Sequence, residues 1–135
     1  MRVMVTGGAG FIGSHLVDRL VSRGYDVEVI DNLSSGVLEF IKSHIDNGKV
    51  KFHNVDLKNL NEIKPLMDGI EMVFHLAANA DIRLGTRVTD TDLNEGTIAT
   101  YNVLEAMRLN DVKKVVFSSS SVVYGEGAPM PTPEN

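Results

Sequence analysis

The first two dozen residues constrain this chain more than any others. The apolar run VMV (residues 3–5) leads directly into TGGAGFIG (residues 6–13), which holds four glycines. Beyond it Phe11, Ile12, Leu16, Val17, Leu20 and Val21 recur at helical spacing, and Gly24 stops the run. A short buried strand over residues 2–5 is therefore joined to an amphipathic helix over 11–23 by a turn almost without side chains. Such a turn leaves the N–H groups at the helix start uncovered, beside the positive end of the helix dipole.

The same alternation continues. DVEVID (26–31) predicts a second strand, VLEFIKSHI (37–45) a helix, and Asn47-Gly48 a turn. KVKFHNVD (49–56) predicts strand three. NLNEIKPLMDG (59–69) is helical only in part, because Pro65 removes a donor within the run. EMVFHLA (71–77) and VVFSSS (115–120) predict strands four and five, separated by the longest helix, over 91–109. No repeat or low-complexity linker precedes the proline-bearing tail GAPMPTPEN. Strands alternating with helices through short links imply a parallel sheet covered on both faces. Right-handed crossovers make it an α/β, doubly wound Rossmann-type sheet of order 3-2-1-4-5. The glycine cluster then lies at the switch point, where ligands of such sheets bind.

Composition removes several alternatives. At 135 residues the chain is expected to be one domain, residues 1–135, with a real core. It has no cysteine, so disulfides, thiolate ligands and thiol nucleophiles are excluded. His15, His44, His53 and His75 lack ligand-like spacing, and no metal site is expected. A net charge of −5 argues against nucleic acid as a partner. No apolar run approaches ~20 residues and no signal-peptide pattern opens the chain, so a cytoplasmic protein with no membrane partner is expected.

The bare turn suits a pyrophosphate. Gly7 allows the tight turn, Gly10 the close approach of phosphate, and Gly13 the close packing of helix on strand. The string satisfies G-x-x-G-x-x-G from Gly7 and G-x-G-x-x-G from Gly8. Asp31, at the end of strand two, is placed to accept hydrogen bonds from ribose hydroxyls. A 2′-phosphate there would meet a carboxylate, at a cost of a few kcal/mol for charges ~4 Å apart at an effective dielectric of ~20. The following NLSSG carries no arginine to offset it, so NAD is expected over NADP.

MVTGGAGFIGSHLVDRL (4–20), VIDNLSSG (29–36), VDL (55–57), VFHLAA (73–78), TYNVLEAM (100–107) and VVFSSSSVVYGE (115–126) together resemble the extended short-chain dehydrogenases. The resemblance is to their NAD-dependent sugar-nucleotide epimerases and dehydratases, and it covers nearly the whole chain. It implies that Gly7, Gly10, Phe11, Ile12 and Gly13 hold the pyrophosphate and that Asp31 and Asn32 lie at the ribose. It further implies that Asp56 and Leu57 flank the adenine and that Leu76, Ala77 and Ala78 line the cofactor's phosphates and ribose. His75 reads as a core or strand-end histidine rather than a catalytic one. Of the serine run, most members read as turn-satisfying hydroxyls. Ser120, four residues before Tyr124, corresponds to the family's hydroxyl that orients the sugar alcohol being oxidised. The implied parent reaction is a 4-epimerisation of a nucleotide-sugar substrate through transient hydride transfer to NAD.

Two departures stand out. Gly96 occupies the position of the family's helix asparagine, and Asn94 is out of register with it. The family's Tyr-x-x-x-Lys base is missing: Tyr25, Tyr101 and Tyr124 are followed four residues later by Val29, Glu105 and Ala128. The expectation is therefore an N-terminal portion of an enzyme, able to bind NAD and inactive alone. With strand five left at an edge, a homo-oligomer is also expected. The alternatives are a non-catalytic NAD-binding sensor, an interaction module that only keeps the fold, and a portion of a dehydratase.

Overall fold

The computed structural model describes residues 1–81 and 83–134. Five parallel strands form one sheet: β1 (Arg2–Thr6), β2 (Asp26–Ile30), β3 (Val50–His53), β4 (Met72–His75) and β5 (Val115–Phe117). Their order is β3-β2-β1-β4-β5, as the alternation predicts. Consecutive residues Val3, Met4 and Val5 have no exposed surface, the signature of a strand buried on both faces. One face packs Val3, Val5, Val27 and Val29 against Val17 and Leu20 of helix α1 (Phe11–Ser22) and against Ile41. The other packs Met4, Ile30 and Val73 against Ile63 of α3 (Leu60–Ile63) and against Val103, Ala106 and Met107 of α4 (Ala99–Leu109). A helix α2 (Lys42–Asp46) lies between β2 and β3 in the chain.

The register aligns the carboxyl ends of the strands. His53 pairs with Ile30, Ile30 with Thr6, Thr6 with His75 and His75 with Phe117. This row forms the floor on which the connecting loops stand, and the winding reverses between β1 and β4.

Several expected elements differ in extent. The helix expected over 37–45 divides into a 3₁₀ turn, Leu38–Phe40, and α2. Val37 and Phe40 are half exposed while Ile41 is fully buried, with Leu38 and Ile45 packed half-buried beside it, so a narrow stripe rather than a broad apolar face holds the segment to the core. Strands three, four and five each end before the last residues predicted for them, at His53, His75 and Phe117, where the ladder gives way to site loops. The long helix begins as a π-helical segment, Asp92–Ile98, that contains Gly96, and becomes regular at Ala99. α3 passes into a 3₁₀ turn, Lys64–Met67, where Pro65 sits near the start and costs no helical hydrogen bond. Among the described residues no helix is long and apolar enough to cross a membrane, and no group of three His, Asp or Glu side chains is arranged to hold a metal.

Candidate functional site

A cavity of about 400 Å³ opens above the ends of β1, β2 and β4. That is within the usual range for a small-molecule site. Its lining includes Gly7, Gly10, Phe11, Ile12, Gly13, Asp31, Asn32, Asp56, Leu57, Leu76, Ala77 and Ala78, so twelve residues from four separate motifs meet around one space.

The glycine turn is shaped by contacts that admit no side chain. Gly7 has φ +70°, and a Cβ on it would lie 2.8 Å from the Ala77 nitrogen. The turn and the segment after β4 thus touch backbone to backbone. A Cβ on Gly8 would stand 2.6 Å from Cγ1 of Val29, a packing role that the repeat spacing alone does not assign. Gly10 is different. It caps α1 without a side-chain hydrogen bond, and among the described residues the only atom near its missing Cβ is the Gly7 carbonyl oxygen, 3.3 Å away. The first helical bond runs from the Ser14 N–H to the Gly10 carbonyl, at 2.9 Å. The N–H groups of Phe11, Ile12 and Gly13 therefore have no acceptor within the helix. Bare donors at the positive end of a twelve-residue helix are what an anionic pyrophosphate requires.

Asp31 does more than end a strand. Its nearly buried carboxylate accepts from the Ala9 N–H at 3.0 Å and from the Leu33 N–H at 2.8 Å, tying the glycine turn to the loop after β2. The Val37 N–H donates to the Ala9 carbonyl at 2.9 Å and completes that tie. A carboxylate offers about four acceptor sites, so two remain for hydroxyls in the cavity. Gly36 closes over it so tightly that a Cβ there would be 2.7 Å from the Asp31 Oδ1.

Asp56 is held from three directions. It accepts from the Lys58 N–H at 2.8 Å, lies 3.3 Å from the Lys58 ammonium, and accepts from the Asn32 amide at 3.4 Å. Burial pushes its pKa up, but these donors outweigh burial and hold the carboxyl below its ordinary value. Lys58 in turn pairs with Glu95 from the π-helical segment, the main cause of its raised pKa. Buried Asn102 donates to the Leu57 and Lys58 carbonyls, both at 3.0 Å, and fixes this loop from α4. The sequence reading missed Asn102, Glu95, Gly36 and Ser118, of which all but Asn102 line the cavity. Gly36, Asn102 and Ser118 lie within VIDNLSSG, TYNVLEAM and VVFSSSSVVYGE, so a signal was present for these three, whereas Glu95 lies in none of the quoted motifs.

Ser120 lies apart from the other predicted residues. It does not line the cavity; Ser118 does, and its N–H donates to the His75 carbonyl at 3.1 Å. Ser120 caps the exposed 3₁₀ turn Ser121–Tyr124 and accepts from the Val122 N–H at 3.3 Å. His75 is buried in the sheet, as a strand-end histidine should be.

A sheet wound both ways from β1, with its crevice at the reversal, places the chain in the Rossmann-type class. The family is narrower than the class. The model of the NAD-dependent epimerase/dehydratase family matches residues 3–135, and the chain belongs to that family. It is 44% identical to a putative UDP-glucose 4-epimerase of Methanocaldococcus jannaschii over 98% of this chain and 43% of that protein. A crystal structure of a UDP-galactose 4-epimerase is 51% identical and superposes with a TM-score of 0.86, covering 99% of this chain and 43% of the other. The UDP-glucose 4-epimerase of Thermus thermophilus in complex with NAD is 38% identical, with a TM-score of 0.80, covering 89% of this chain and 38% of the other. The chain thus spans about two fifths of the length of the relatives it matches.

Proposed function

We propose that this chain is the NAD-binding part of a sugar-nucleotide 4-epimerase of the UDP-glucose/UDP-galactose type. The observation that carries the reading is the single cavity shared by the glycine turn, Asp31 and Asn32, Asp56 and Leu57, and the segment Leu76–Ala78. The family and the named relatives support it. The uncovered N–H groups of Phe11–Gly13 would hold the pyrophosphate, and the free acceptor sites of Asp31 would take ribose hydroxyls. Asp56 and Leu57 would border the adenine. Bound NAD would supply the acceptor for transient oxidation at the sugar's C4. Ser120, two residues beyond the cavity-lining Ser118, would orient the sugar hydroxyl without acting as a nucleophile.

None of the three tyrosines begins a Tyr-x-x-x-Lys pair, so these 135 residues hold no such base for that hydroxyl. General-base assistance is worth ~10²–10⁴ in rate. The chain alone is therefore expected to bind NAD and leave UDP-galactose unconverted. Calorimetry with NAD, followed by a coupled assay for UDP-glucose formation, tests both halves. Absence of NAD binding would remove the functional reading; conversion by the purified chain would remove the assignment of the missing base.

A further inference from the structure

His75 is the largest buried polar side chain of the sheet that the proposed function leaves without work. It sits on β4 at the winding reversal, 2% exposed, with its ring stacked on Phe117 of β5 at 5.5 Å and 23°. Both ring nitrogens are engaged. Nδ1 lies 2.6 Å from the Thr6 hydroxyl of β1, and Nε2 lies 3.0 Å from the Thr100 hydroxyl of α4. Thr6 is itself wholly buried, and its hydroxyl accepts from the Ala77 N–H at 3.4 Å. Ala77 is the residue whose backbone meets Gly7 across the crevice.

We propose that His75 is a positioning residue of the cleft, holding Ala77 against the glycine turn through the Thr6 hydroxyl. The inference rests on the cofactor reading above for its effect on binding, but not for its geometry. The proton order follows from the donors. The Thr6 oxygen takes the Ala77 N–H on one lone pair, and among the described residues Nδ1 is the acceptor within hydrogen-bond distance of the buried Thr6 hydroxyl, so its hydrogen is assigned to Nδ1. A neutral imidazole has one donor and one acceptor, so Nε2 carries the proton and donates to Thr100. Burial pushes the ring's pKa below its ordinary value, and no charged group faces it from β1, α4 or β5 among its hydrogen-bond and ring partners. The neutral Nε2–H tautomer is therefore the one that joins three elements at the crevice floor. Through Leu76 the backbone repeats the link, its N–H donating to the Thr6 carbonyl at 3.1 Å.

Two threonine variants separate hydrogen bonding from packing. Thr6→Val keeps the shape and loses the hydroxyl; Thr6→Ser keeps the hydroxyl and loses a methyl group. The expected result is an NAD affinity lowered about five- to tenfold in Thr6→Val and in His75→Phe, with Thr6→Ser within about twofold of the parent. Nitrogen-15 spectra of the parent chain should show the Nε2–H tautomer of His75, and the Ala77 amide should exchange faster in Thr6→Val. The reverse order of the threonine variants, an Nδ1–H tautomer, or unchanged Ala77 exchange would each overturn the proposal. If the parent chain does not bind NAD, the cofactor reading fails by itself, and the tautomer and amide measurements still decide this one.

Discussion

Gly13 lies directly beneath Gly7: a Cβ on Gly13 would stand 2.1 Å from the Gly7 carbonyl oxygen and 2.8 Å from the Gly8 Cα. Both neighbours are backbone, so neither can rotate away. Gly13 is therefore required by the fold, whereas Gly10, with one neighbour at 3.3 Å, faces the space that a ligand would take.

Substitution should separate the two glycines. Gly13→Ala is expected to cost about 1–3 kcal/mol or more in a urea titration, the range for overpacking against an unyielding neighbour. Gly10→Val should lose only about 1 kcal/mol as a poorer helix cap, yet lower NAD affinity more than tenfold. Equal destabilisation by both would mean that Gly10 also serves packing.

Asn102 joins α4 to the loop that borders the cavity near Asp56. Asn102→Leu would leave two carbonyl groups, of Leu57 and Lys58, without their donor. The expected loss is about 1–3 kcal/mol of stability in denaturant unfolding. A variant as stable as the parent would show that water replaces the amide without cost.

Much of this was legible in the sequence because the relevant signals are local. A strand, a glycine turn and an amphipathic helix each have their own period, and together they place Gly7 to Gly13 and Asp31 at one switch point. Elements set by tertiary contacts were not legible. Residues 37–45 have enough apolar side chains for a helix, but only Ile41 is fully buried, with Leu38 and Ile45 half-buried beside it, and the segment breaks at Ile41. Asn102 is an ordinary polar residue in a helical run until the fold brings Leu57 against it. The serine run divides in the same way: its spacing to Tyr124 selects Ser120, and only the fold shows that Ser118 is the member that lines the cavity.

Acidification should weaken the fold through His75. Burial holds its folded pKa below the ordinary histidine value, so on lowering pH the unfolded chain takes up the proton first. Stability is then present above that ordinary value and lost as pH falls toward the folded one, at no more than about 1.4 kcal/mol per pH unit. Between pH 7 and 5, above the range where Asp56 titrates, the decline should be smaller in His75→Phe than in the parent. Identical slopes would show that the buried ring does not contribute.

The outer edge of β5 carries Val115, Val116 and Phe117, all 41–54% exposed, on the strand that ends the sheet. Self-association of the isolated chain is expected at high concentration, read by light scattering. Val116→Lys should shift it toward monomer; a monomeric parent chain would contradict the expectation.

Whether the cleft beside Asp31 is an NAD site is tested most directly by calorimetric titration of the chain with NAD and with NADP. A 2′-phosphate would be held against a carboxylate already fixed by the Ala9 and Leu33 N–H groups and unable to swing away. NAD should therefore bind at least about tenfold more tightly than NADP, since charges at ~4 Å repel by more than the ~1.4 kcal/mol that this ratio needs. Equal affinity, a preference for NADP, or binding of neither would contradict the account.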